Sequence, residues 1–193
     1  MEIYRADMSV FALEDCFPFL GAEERLRTES LNGAARRRFV VSRALRRRVL
    51  GPGAEILLEE NGRPYVKGNP AFFSMSHTGD VFVMAVDIHP IGIDAELMKE
   101  RGFARLSHWF FKERIPDREE FYRRWTQYEA SLKLAGLSLF SKYVPAPEHI
   151  CSEIMDNCML SVASNHEIGF PLLIKTLLPS AVENLRAGIG SET

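Results

Sequence analysis

Asp94 and Glu96 stand two residues apart in the run Ile91-Gly92-Ile93-Asp94-Ala95-Glu96. On an extended strand, residues i and i+2 point to the same side. The two carboxylates are therefore neighbours, and Ile91, Ile93 and Ala95 face the other way, into a core. Adjacent carboxylates repel each other unless protons or a cation intervene. Hard oxygen ligands suit Mg²⁺, which takes one or two carboxylates and completes its shell with water and substrate phosphate. On spacing alone, an exposed acidic strand edge is the commoner meaning of such a pair.

Glu129 and Lys133 are four residues apart in Trp125-Thr126-Gln127-Tyr128-Glu129-Ala130-Ser131-Leu132-Lys133. On a helix this spacing places them on one face. The plain reading is an exposed ion pair contributing about 0.3–0.5 kcal/mol. The chemical reading makes Glu129 a metal ligand or general base, with Lys133 paired to a phosphate. Glu129 follows Trp125 by one turn and so lies on the flank of an apolar face, which favours a partly buried carboxylate. His77, Arg43 and Arg63 carry no signal of their own. A histidine at a hairpin is more often a satisfied turn residue, and single arginines are more often solvated.

The elements that must position these residues are legible in the pattern. An early strand is expected near Met1–Asp7. Residues 21–50 read as two helices broken near Asn32–Gly33, the second running Ala34–Leu50 and stopped by Gly51-Pro52-Gly53. That second helix carries seven arginines and no acid between Leu31 and Leu50. Ala54–Glu60 reads as a short strand, and Asn61-Gly62-Arg63-Pro64 as a turn. Phe72–His77 and Val81–Asp87 read as strands joined through Thr78-Gly79-Asp80, and Ile91–Glu96 as a third. The expectation is an antiparallel meander of about three strands.

Phe103–Lys112 reads as helical. Asp117, with Glu120 three residues on, marks the start of a longer helix. Phe121, Trp125, Tyr128 and Leu132 form its apolar stripe, and Gly136 lies past its end. Strand-like runs follow at Met159–Ala163 and Leu172–Leu178. The fold class is α+β. The chain divides into an N-terminal half, 1–90, and a C-terminal half, 91–193, each a helix against a small antiparallel sheet, with a cleft between them.

Composition narrows the function classes. The 193 residues are 46% apolar, enough to bury a core. A formal net charge of −2 argues against a general nucleic-acid binder, despite the basic helix. No apolar run approaches the ~20 residues needed to cross a bilayer. The acidic N-terminus reads as no export signal. Cys16, Cys151 and Cys158 match no zinc spacing and read as reduced thiols of a cytoplasmic protein.

Taken in order, these segments resemble the 4'-phosphopantetheinyl transferase superfamily, in its longer, monomeric, two-half Sfp-like type. Asn61-Gly62-Arg63-Pro64 is similar to the family's Gly-Lys/Arg-Pro turn. Phe73-Ser74-Met75-Ser76-His77-Thr78-Gly79 is similar to its Phe-Asn-x-Ser-His-Ser/Thr segment. Ile91–Glu96 resembles its Ile/Val-Gly-Ile/Val-Asp-x-Glu strand, and Phe110-Phe111 the aromatic pair upstream of its long helix. Trp125–Lys133 resembles its Trp-Thr/Ser-x-Lys-Glu-Ala/Ser-x-x-Lys helix. Each motif is weak alone; the order and spacing together are specific. Residues 1–30 and 140–193 carry little of the likeness.

The resemblance implies two similar α+β halves packed as a pseudo-dimer around the site. It implies that Asp94, Glu96 and Glu129 hold Mg²⁺, with Mn²⁺ as the alternative, against the pyrophosphate of coenzyme A. Glu129 and Lys133 would be the catalytic pair, with Lys133 on the transferred phosphate. Arg43, Ser76 and His77 would hold the 3'-phosphate of coenzyme A, and Arg63 and Pro64 would pack by its adenine. The acceptor would be a serine hydroxyl of an apo acyl or peptidyl carrier protein of fatty-acid, polyketide or non-ribosomal-peptide synthesis. Adenosine 3',5'-bisphosphate would be the other product. No nucleic acid and no membrane enter. Two departures stand out: Tyr128 replaces the lysine usual before Glu129, and Ser74 replaces the usual asparagine. Tyr128 motivates an alternative, a degenerate paralogue that binds coenzyme A or a carrier protein with little turnover.

Overall fold

The structure is a computed structural model that describes residues 1–100, 103–139, 141 and 143–179. The strands are β1 (Glu2–Asp7), β2 (Ile56–Leu58), β3 (Pro64–Val66), β4 (Phe72–Thr78), β5 (Val81–Asp87), β6 (Ile91–Leu97), β7 (His149–Met155), β8 (Cys158–Ser164) and β9 (Ile174–Thr176). The helices are α1 (Leu13–Cys16), α2 (Ala22–Glu29), α3 (Gly33–Leu50), α4 (Phe103–Phe111) and α5 (Arg118–Ala135). The class is α+β. The sequence boundaries 1–90 and 91–193 take in residues 101, 102, 140, 142 and 180–193, which lie outside the described residues. Among the described residues, no helix is long and apolar enough to cross a membrane.

Two main sheets stack between two long helices. The first has the order β4-β5-β1-β9 and the second β6-β8-β7, while β2 and β3 form a separate hairpin. The alternation of side chains along each strand builds this stack. In β5, Phe82 and Met84 point into a cluster shared with Val40, Val41, Ala44 and Leu45 of α3. Val83 and Ala85 point the other way, into a cluster shared with Ile91, Ile93 and Ala95 of β6 and Leu160 and Val162 of β8. All four β5 residues are fully buried, as expected of a strand that reads as a continuous apolar run.

This overturns the three-strand meander. β4 and β5 do form the expected antiparallel hairpin, with Thr78 opposite Val81. β6 does not extend it; it pairs with β8 in the second sheet, Asp94 opposite Ser161. The chain crosses from one sheet to the other over Ile88-His89-Pro90. Apolar residues at 91, 93 and 95 are served equally well by pairing beside β5 or by packing on its face, and periodicity alone does not separate the two. β9 is shorter than the expected Leu172–Leu178 run and lies parallel to β1, Ile3 opposite Ile174. β3 and β7 have no counterpart in the sequence reading.

α5 has the ends its sequence calls for. The Asp117 carboxylate accepts from Glu120 N–H at 2.7 Å, and Gly136 closes the helix in the left-handed region at φ 65°. Its sheet-facing surface differs from the expected stripe. Tyr122, Thr126, Ala130 and Leu134 are buried together with Phe121 and Leu132. Trp125 and Tyr128 lie half-exposed in an aromatic group with Phe110 and Phe111. Thr126 is tolerated in the core because its hydroxyl bonds to Tyr122 O at 2.9 Å and shares a 2.7 Å hydrogen bond with Ser161 Oγ.

Candidate active site

The site begins with a glycine. A Cβ built on Gly92 would sit 1.9 Å from Ala130 O and 2.7 Å from Leu134 N. Only glycine lets β6 approach the backbone of α5 this closely. The approach brings the carboxylate strand against the helix carrying Glu129 and Lys133. Lys133 Nζ donates to Asp94 Oδ1 at 2.6 Å and to Ile93 O at 3.0 Å. Strand and helix thus meet in a single cluster across a long sequence separation.

Asp94 is not an exposed edge residue; it is 2% exposed. Its Oδ1 accepts from both Lys133 and the Ser76 hydroxyl, the latter at 2.7 Å. Its Oδ2 is buried with no hydrogen-bond partner. Glu96 Oε2 accepts from the Thr78 hydroxyl at 3.0 Å. Glu129 feels both acids. Burial and the Asp94 charge push its pKa up to about 7, with Glu96 adding and the Lys133 ammonium opposing. The cluster therefore holds more negative charge than Lys133 offsets.

Lys133 also borders a cleft of about 220 Å³. The cleft is lined by the β2–β3 turn at Asn61–Pro64, by Phe73–Met75 of β4 and by Gly136 and Leu137 after α5. Gly136 is held close here, since an added Cβ would meet Asn61 Nδ2 at 2.6 Å. The Arg63 guanidinium lies 5.2 Å over the Phe72 ring, and its Nη2 is buried without a partner. Arg63 and Pro64 therefore line the same cleft as Lys133.

Ser76 and His77 are adjacent in β4 and so face opposite sides of it. Ser76 faces β6 and Asp94. His77 faces α3, and its pKa is held below the ordinary histidine value by desolvation of part of the ring and by the nearby Arg38 and Arg43. Arg43 lies 4.9 Å over the Phe39 ring and 3.6 Å from Glu24 Oε1. Arg38 is a neighbour that sequence reasoning did not single out. Most other arginines of α3 serve the fold: Arg46 and Arg47 converge on Glu24, Arg37 donates to Ser9 O and Phe11 O, and Arg48 donates to Leu178 O. Tyr128 packs on Phe111 and Trp125 and lines a groove with Val144–Pro147.

The residues fit a hard divalent cation in donor chemistry. The unpartnered, buried Asp94 Oδ2 and the excess negative charge are what such an ion would satisfy. Among the described residues no group of three His, Cys, Asp or Glu side chains is arranged to hold a metal ion. One or two carboxylates suffice where water and substrate phosphate complete the shell. Acids beside Lys133, which lines a cleft together with Arg63, make a donor set suited to a phosphate ester in an α+β protein.

Comparison with known proteins makes the class specific. No family model matches the chain. The 4'-phosphopantetheinyl transferase psf-1 of Bacillus pumilus is 28% identical, over 90% of this chain and 85% of that protein. The 4'-phosphopantetheinyl transferase of Bacillus subtilis is 32% identical, over 54% of each chain. The 4'-phosphopantetheinyl transferase AcpT of Escherichia coli K12 is 32% identical, over 58% of this chain and 64% of AcpT. The chain thus spans most of the first relative and less than two thirds of the other two. Over most of its length the chain is thus similar to 4'-phosphopantetheinyl transferases.

Proposed function

We propose that this protein transfers the 4'-phosphopantetheine arm of coenzyme A to a serine hydroxyl of an apo acyl or peptidyl carrier protein. The observation that carries the reading is the joining of β6 and α5 at Gly92, which unites buried Asp94 with Glu96, Glu129 and Lys133 beside a cleft. The serine oxygen attacks the phosphorus that bears the pantetheine arm. A P–O bond forms to serine, the bond to the adenosine phosphate breaks, and adenosine 3',5'-bisphosphate leaves. Glu129, directly or through a water, takes the serine proton. Lys133 neutralises charge on the transferred phosphate. Arg63 and Pro64 receive the adenine, and Arg43 and His77 the 3'-phosphate. Bound Mg²⁺, held by Asp94, Glu96 and Glu129, would supply Lewis-acid stabilisation of the pyrophosphate charge; Mn²⁺ would serve in the same place.

The wider reading goes with it. The 1–90 and 91–193 segments act as two related halves of a pseudo-dimer, each giving one long helix and most of one sheet, with β9 of the second joining the sheet of the first. The enzyme works as a cytoplasmic monomer on carriers of fatty-acid, polyketide or non-ribosomal-peptide synthesis. Coenzyme A as substrate and three free thiols support that compartment.

The test is direct. The protein is incubated with coenzyme A, Mg²⁺ and several apo carrier proteins, and each carrier is weighed by mass spectrometry. Gain of the phosphopantetheine mass is expected. Asp94→Ala and Glu129→Ala should each abolish it while circular dichroism stays native, and full activity in both would refute the site. Tyr128, an aromatic packing residue where the family usually has lysine, favours a second reading as a coenzyme A or carrier binder with little turnover. Absence of the adduct on every carrier, with coenzyme A still bound, would select that reading.

A further inference from the structure

β4 and β6 belong to different sheets, yet they are stitched together by side chains. Ser74, Ser76 and Thr78 follow at intervals of two along β4 and share the face turned towards β6. Ser74 Oγ accepts from Ile93 N at 3.1 Å. Ser76 Oγ donates to Asp94 Oδ1 at 2.7 Å. Thr78 Oγ1 donates to Glu96 Oε2 at 3.0 Å and accepts from Leu97 N at 3.2 Å. Three hydroxyls thus climb β6 in register, and the upper two end on the two acids.

A carboxylate group turns easily about its last side-chain bond. A hydroxyl fixed on one oxygen stops that turning and fixes the other oxygen. At Asp94 the outcome is visible: Oδ1 is held by Ser76 and Lys133, and Oδ2 is left buried and unpartnered. Ser76 is directed to this acid, on the opposite strand face from His77, Arg38 and Arg43.

We propose that Ser76 and Thr78 are positioning residues that orient Asp94 and Glu96 for a divalent cation, and that Ser76 does not hold the nucleotide phosphate. This inference rests on the metal assignment of the proposed function. It departs from the role that family resemblance gives Ser76.

The test compares wild type with Ser76→Ala, Thr78→Val and Thr78→Ser. Mn²⁺ binding is titrated by electron paramagnetic resonance, with and without coenzyme A. Affinities for coenzyme A and 3'-dephospho-coenzyme A are measured by calorimetry. Ser76→Ala and Thr78→Val are each expected to weaken Mn²⁺ binding by about tenfold or more, the usual effect of losing a ligand-orienting partner. Thr78→Ser, which keeps the hydroxyl, should bind Mn²⁺ like wild type. The preference for coenzyme A over its dephospho form should stay unchanged in Ser76→Ala. Wild-type Mn²⁺ affinity in Ser76→Ala, together with loss of that preference, would overturn the proposal and make Ser76 a phosphate ligand. Equal losses in Thr78→Val and Thr78→Ser would overturn the role of the Thr78 hydroxyl. Wild-type protein that binds no Mn²⁺ under either condition would overturn the proposal outright. If the Mn²⁺ pattern holds and no carrier is modified, the transferase reading fails and the positioning role stands.

Discussion

Glu129 is where burial and charge act most strongly on a single group. Its carboxyl titrates near 4.5 when unperturbed and at about 7 in the fold, because burial and the Asp94 charge both oppose ionisation. Between those values the folded chain holds a proton that the unfolded chain releases. The stability that comes with the neutral form is therefore complete below about pH 4.5 and is lost as pH rises through about 7. In metal-free buffer the melting temperature should fall across that window, and Glu129→Gln should flatten the slope. An equally steep slope in the variant would remove Glu129 as the cause. The thiols give a second residue-scale test. Burial pushes Cys16 up to about 11 and Cys158 up to about 12, so neither forms thiolate near neutral pH. Iodoacetamide at pH 8 should leave both unlabelled in the native protein and label them in denaturant, as read by peptide mass spectrometry. Rapid native labelling of Cys158 would contradict the packing of β8.

At the scale of elements, the decisive contact is β6 against α5. Gly92→Ala puts a methyl carbon inside the backbone of α5, and neither backbone has a flexible side chain to yield. The variant should lose about 3 kcal/mol or more of stability, read as a lower urea midpoint. It should also lose transfer activity beyond that loss, because Glu129 and Lys133 are displaced from Asp94. A wild-type midpoint would show that the two elements are not held this closely. The same contact explains the polar core beneath α5. Asp94 of β6 lies opposite Ser161 of β8, and Ser161 bonds both Thr126 of α5 and, at 2.8 Å, Ser152 of β7. A helix seated on a buried acid needs hydroxyls below it, since an unpaired polar group there is costly.

At the scale of the molecule, the two sheets share one core. Ile3, Val83 and Ala85 of the first sheet and Ile93, Leu160 and Val162 of the second form one cluster. β9 follows the second sheet in sequence and pairs with β1 in the first. Residues 1–90 on their own would expose one face of β5 and lose both β9 and the β6 partners of Ser74, Ser76 and Thr78. Expressed alone, that segment should show no cooperative thermal transition by circular dichroism, whereas the full chain should unfold in one. A sharp transition in the isolated segment would mean that the shared core adds little.

The sequence alone determined most of the elements and which candidate residues share a face of them. Asp117 and Gly136 bound α5, Gly51 stops α3, and the pairing of 94 with 96 and of 129 with 133 follows from strand and helix periods. These are local properties, set within one or two turns of chain. Tertiary structure decided how those residues are buried and what they touch. Periodicity put Ile91, Ile93 and Ala95 in a core without saying whether β6 lies beside β5 or on top of it. It marked Asp94 as an acid on a strand face without saying that the face would be covered. Burial, the Lys133 bridge and the Ser76 and Thr78 hydroxyls all follow from packing one sheet against another and a helix against a glycine. Those contacts join residues from 18 to 40 positions apart, a separation at which no local period carries information.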